Sequence, residues 1–179
     1  SEVSGNSSDG VGGGVYNWYG STISGNSSQI SGNSGHQGGG LYNLGTIIML
    51  QTTISENSAT GYSGGGLINF SGNITLENVT ISGNNTVANG GGISNQMGSI
   101  VLTNATISGN TAEQYGGLSN ESAPAQVSLF NSTVAYNTAT GSGTPIGGIG
   151  NLGLIQFSNT IVADNNGRNC QVSGGWTSN

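Results

Sequence analysis

A glycine triplet returns at a fixed interval in this chain. It begins at Gly12, Gly38, Gly64 and Gly90, each 26 residues after the last, and looser copies begin at Gly116 and Gly147. The copies read GGGVYN, GGGLYN, GGGLIN, GGGISN, GGLSN and GGIGN, so each closes on asparagine: Asn17, Asn43, Asn69, Asn95, Asn120 and Asn151. A second motif (QISGN, TISEN, TISGN, TISGN, TVAYN, IVADN) ends at Asn33, Asn57, Asn84, Asn110, Asn137 and Asn165. The opening EVSGN reads as the tail of a preceding unit that closes at Asn6. Self-similarity at this period marks a stack of identical supersecondary units.

Within each unit three short runs alternate apolar and small polar residues, the pattern of a strand with one buried face. The first run buries Val15, Leu41, Leu67, Ile93, Leu118 and Ile149. The second carries pairs such as Ile47 with Met49 and Ile74 with Leu76. The third carries Ile30, Ile54, Ile81, Ile107, Val134 and Val162. No run has the 3.6-residue period of an amphipathic helix, and Gly- and Asn-rich turns separate the runs. The expected fold is all-β: a single-stranded parallel β-helix of about six coils, three strands per coil. Residues 1–179 form one domain, with regular coils over 12–115, irregular coils over 116–165 and an irregular end over 166–179. Matching positions then stack as columns: aliphatic ladders inside, and asparagine ladders whose amides bond the copies above and below. The insertion at Gly141–Pro145 is expected to leave the stack as a loop.

Composition removes several functions. The 179 residues include 35 glycines but only one Lys or Arg, and the net charge is −6. A nucleic-acid partner needs a basic patch, which one arginine does not make. No apolar run approaches the ~18 residues of a membrane span, so membrane insertion is not expected. One Cys and one His do not make a structural zinc site, and no cofactor is implied.

The pattern GGG[IVL]xN followed by LTNxTISGN resembles the Gly- and Asn-rich right-handed β-helix repeats of bacterial cell-surface proteins, both polymorphic outer-membrane proteins and adhesin-like proteins. The resemblance covers nearly the whole chain. It implies a right-handed coil and an extracellular or cell-surface location. It implies no ligand, and the FxxN motif of the polymorphic outer-membrane proteins is absent.

Other parallel β-helices cleave polysaccharides with clustered carboxylates. Here Glu2, Asp9, Glu56, Glu77, Glu113, Glu121 and Asp164 fall at different places in the repeat. Only Glu56 and Asp164 share a slot, several coils apart, so no catalytic pair is expected. His36 reads as an exposed turn residue. Structural calcium would require an Asp in every copy at GGxGxD spacing, and the carboxylate occurs once, at Asp9, so calcium is not expected. Cys170 is an odd thiol whose pairing the sequence leaves open, with Arg168 nearby to lower its pKa. Candidate glycan acceptors at outward Asn-x-Ser/Thr sites are Asn26, Asn73, Asn78, Asn104 and Asn131. Tyr16, Trp18, Tyr19 and Tyr42 lie close along the first coils, where they form either a sugar-binding or docking patch or a packed neighbour to an adjacent turn.

A β-helix has two open ends with unpaired backbone groups, and charge is the usual device against edge pairing. This chain hardly uses it. The expectation is a non-enzymatic extracellular subunit that stacks end to end with copies of itself into a surface fibre. Its assembly ends would be Glu2, Val3 and Asn6 on one side and Asn165, Cys170 and Trp176 on the other. The alternatives are a rod segment of a larger adhesin or autotransporter-like passenger, a polysaccharide-active β-helix enzyme, or a glycan-binding module.

Overall fold

The structure, a computed structural model, describes residues 1–178. The chain winds as a parallel β-solenoid of about six turns, and no described residue is helical. Each turn contributes to four sheets rather than the three expected. The first sheet holds Val15–Asn17, Leu41–Asn43, Leu67–Asn69, Ile93–Asn95, Leu118–Asn120, Ile146–Asn151 and Arg168–Val172. The second begins at Thr22–Asn26 and ends at Gly175–Ser178. The third begins at Glu2–Ser4 and ends at Ile161–Ala163. The fourth, absent from the sequence reading, runs from Ser7–Val11 through pieces such as Ser58–Ala59, Asn85–Thr86 and Thr111–Ala112 to Thr138–Ala139. A two-residue strand of small polar residues is too short to display alternation, which is why it reads as a turn.

Register follows the repeat residue for residue. Ile30, Ile54, Ile81, Ile107, Val134 and Val162 are paired in one column, with Val3 ahead of them. Val15, Leu41, Leu67, Ile93, Leu118 and Ile149 form another. These columns and the second-sheet aliphatics merge into one continuous core. Val3, Val15 and Val162 belong to its outer coils and are only partly buried, whereas Ile81 and Ile107 are wholly enclosed.

Three separate constraints explain the glycine triplet, as its second copy illustrates. Gly38 has φ +61°, a left-handed conformation that side chains resist. A Cβ on Gly39 would lie 2.4 Å from the Ser58 carbonyl oxygen, and one on Gly40 would lie 2.5 Å from the Gly66 oxygen and 2.9 Å from Asn57 Nδ2. The chain turns at the first glycine. The next two let neighbouring coils and the asparagine column close against it.

Of the segment 166–179, expected to be irregular, residues 166–178 carry two strands, and Asn179 lies outside the described residues. Arg168–Val172 pairs with Ile146–Asn151, and Gly175–Ser178 with Leu154–Ser158. Cys170 thereby extends the inner column that ends in Ile149, and Trp176 the one that ends in Ile155. Thiol and indole in place of aliphatic side chains hid both columns from the sequence pattern. The insertion near Gly141–Pro145 does leave the stack, as an exposed loop between Thr138–Ala139 and Ile146–Asn151.

Candidate functional site

The asparagine columns are two directional wires of amides. In the first, the Nδ2 of Asn17 donates to Asn43 Oδ1 at 2.8 Å, and the relay continues through Asn69, Asn95 and Asn120 to Asn151. In the second, Asn6, Asn33, Asn57, Asn84, Asn110, Asn137 and Asn165 are linked in the same sense, each bond 2.9 Å long. Asn84 illustrates why no other residue suits the position. Its Oδ1 accepts the backbone N–H of Asn57 at 3.0 Å and Asn57 Nδ2 at 2.9 Å. Its Nδ2 donates to Ile54 O at 3.0 Å and to Asn110 Oδ1 at 2.9 Å. Two donors and two acceptor sites are thus all used in a residue with no exposed surface. An amide whose hydrogen-bonding capacity is fully met carries little of the cost of burying a polar group.

The shared direction makes the two faces of the stack unlike. On the first coil, Asn6 Oδ1 and Asn17 Oδ1 accept no hydrogen bond among the described residues, so that face presents acceptors. Beside them, Val3, Val15 and Ile23 line an open hollow of about 270 Å³ with Ile30 and Met49. On the last coil, Asn165 Nδ2 donates to Asn169 Oδ1 at 3.2 Å, and Val172 takes the place below Asn151. Cys170 and Trp176 are exposed there although they stand in inner columns. Desolvation by the surrounding coil raises the Cys170 thiol pKa, the reverse of the lowering expected from Arg168. Glu2 lies on the outer face of the first third-sheet strand, where its carboxylate accepts the Ser4 hydroxyl at 2.7 Å.

Aromatic rings form a continuous row over the first coils. Ring centroids of Tyr19, Trp18, Tyr16 and Tyr42 are spaced 5.5, 5.5 and 5.6 Å apart in edge-to-face contacts, and Tyr42 stacks on Phe70 at 6.0 Å. Tyr42 is buried and the other three tyrosine and tryptophan rings are exposed. Desolvation, with the neighbouring Tyr16 and Tyr19, raises the Tyr42 pKa.

Among the described residues, no group of three or more His, Cys, Asp or Glu side chains is placed to hold a metal ion. Glu56 and Asp164 occupy the same corner of their coils, both at left-handed φ (57° and 52°), and both are exposed. His36 is exposed and meets the Tyr62 ring edge-on at 5.4 Å. The carboxylate that stands apart is Glu121, mostly enclosed and accepting the Ser94 hydroxyl at 2.8 Å. Burial raises its pKa, while hydrogen bonds from Ser94, Ser119 and Ser63 pull it down. Its position in the repeat gave no sign of this, because Ser63 and Ser94 belong to other coils.

Of the outward asparagines, Asn26, Asn73, Asn78, Asn104 and Asn131 are all exposed. Asn78, Asn104 and Asn131 stack at one corner at φ 51–55°, and Asn104 Nδ2 donates to Asn78 Oδ1 at 3.1 Å. These sites therefore belong to a third, outer asparagine column. No known protein family, curated protein or solved structure matches the chain.

Proposed function

We propose that this chain is a non-enzymatic structural protein, an extracellular right-handed β-solenoid subunit whose coils stack end to end with those of other copies in a surface fibre. The observation that carries the reading is the one-way sense of the asparagine ladders. A face that presents Asn6 and Asn17 oxygens offers no donor to a copy of itself, whereas at the opposite face the second ladder runs on to Asn169, whose Nδ2 donates to no described residue. Head-to-tail contact is thereby favoured over head-to-head. A heterologous contact that does not close by rotation makes a filament. The inner-column residues Val3, Val15 and Ile23 on one face, and Cys170 and Trp176 on the other, add apolar area that burial against another coil would remove from water. The scarcity of charge leaves strand edges without their common guard. The coil sense follows the hand that parallel-strand crossovers take.

A second reading, a rod segment of a larger bacterial adhesin or autotransporter-like passenger, is supported by the way Cys170 and Trp176 continue inner columns as a further coil would require. Electron microscopy of the chain at neutral pH separates the two. Filaments with an axial repeat near ~30 Å, six coils at ~4.8 Å, are expected. Rods of that length at every protein concentration would overturn the fibre reading in favour of the segment.

A further inference from the structure

Three departures from the repeat meet at one place on the outer surface. The glycine that opens each triplet has φ between 61° and 74° at Gly12, Gly38, Gly64 and Gly90; the fifth copy puts Tyr115 in that place at φ 59°. A bulky side chain seldom adopts this region, and such residues concentrate at functional sites. The following copy carries the loop of Gly141–Pro145. The outward column Tyr16, Tyr42, Ile68, Ser94, Ser119 continues as Gly150 and then Gln171. A Cβ on Gly150 would lie 2.1 Å from Tyr115 Cδ1, so the ring lies where a side chain at 150 would stand.

Around this ring is a cavity of about 380 Å³, lined by Gln114, Tyr115, Ser142, Thr144, Pro145 and Gln171 among others. Its lining contains no charged side chain. The side chains of Gln114, Tyr115, Ser142 and Thr144 make no hydrogen bond among the described residues, and Gln171 donates only to Ser173 Oγ at 3.4 Å. We propose that this cavity binds a neutral sugar, one or two pyranose rings in size. The volume falls within the range of small-molecule sites. Amides and hydroxyls both give and accept hydrogen bonds, as sugar hydroxyls do, and an aromatic ring suits the apolar face of a pyranose. The net charge of −6 and the uncharged lining disfavour an anionic ligand. The site opens on the outer surface, and only Gln171 of its lining comes from the last-coil strand that also carries Cys170.

Saturation-transfer NMR on the full chain tests this with glucose, galactose, N-acetylglucosamine, maltose and chitobiose at about 10 mM, above the millimolar Kd expected for so small a ligand. Glucuronate and inorganic phosphate serve as anionic probes. Transfer to at least one neutral sugar is expected. Gln114→Ala and Thr144→Val, both on exposed side chains that the fold does not need, should weaken it at least about tenfold, equivalent to a Kd beyond the probe concentration. Trp18→Ala, in the distant aromatic row, should leave it unchanged. No transfer from any neutral sugar, equal binding by the Gln114 and Thr144 variants, loss on Trp18→Ala, or preference for the anions would each overturn the proposal.

Discussion

Asn57 and Asn84 are joined twice: the backbone N–H and the side-chain Nδ2 of Asn57 both donate to the one oxygen of the Asn84 side chain, at 3.0 and 2.9 Å. Asn84→Ala removes that acceptor, which leaves the Asn57 backbone N–H and one Asn57 Nδ2 hydrogen unpaired in the interior and takes a donor from the Ile54 carbonyl. The expected cost is about 3 kcal/mol or more, the scale of two buried polar groups left unpaired. Urea denaturation measures it. Asn78→Ala, on the exposed outer column, should cost well under ~1 kcal/mol by the same assay. Equal losses would mean that the inner ladder contributes no more than a surface contact.

Glu121 gives stability a pH dependence of unusual sign. Its folded pKa is held above the ordinary value of 4.5, mainly by burial. The folded state therefore keeps the proton more tightly than the unfolded chain. The contribution is fully present below the unfolded pKa and is lost as pH rises through the folded one. Glu121→Gln retains an acceptor for the Ser94 hydroxyl without the buried charge. It should raise Tm relative to the parent at pH 7 and not at pH 3.5, a value below the ordinary one. A Tm difference that is the same at both pH values would refute this.

Tyr115 and Gly150 should be energetically coupled. Gly150→Ser restores the residue type of Ser94 and Ser119 to the column, yet its Cβ meets the Tyr115 ring. Overpacking of this kind costs about 1–3 kcal/mol. Adding Tyr115→Gly returns the triplet to its usual form and should recover most of the loss. The double-mutant cycle, read by thermal unfolding, would show additivity if ring and column were independent.

Cys170 should react slowly. Its thiol pKa is raised by desolvation, so less thiolate is present at neutral pH than in a free peptide. Alkylation by iodoacetamide at pH 7.5, followed by mass spectrometry, is expected to run slower than for a short cysteine peptide. A rate equal to the peptide's would show that the inner-column position does not shelter the sulfur.

Columns of one residue type were legible in the sequence because stacking repeats a single environment. Asn33, Asn57, Asn84 and Asn110 meet identical neighbours, and the chain spells that constraint out in each unit. Environments built by several coils at once were not legible. Ser63, Ser94 and Glu121 come from different units, and nothing in their local sequence brings them together. The fourth sheet was missed for a different reason: Ser58–Ala59 and Asn85–Thr86 obtain their strand geometry from the coils on either side. Tyr115 was concealed by its place in the period, because it stands where a glycine is expected and takes the glycine's conformation.

The winding also decides how the molecule bears load. Each coil is bonded to the coil before and the coil after it. A pull between the first and last coils therefore opens one turn at a time rather than shearing whole strands together. Each turn set free lengthens the tether by about 90 Å, 26 residues at ~3.5 Å apiece. Under tension such a rod would behave as a graded extensible element that yields one coil at a time, with the largest step at the coil that carries the Gly141–Pro145 loop.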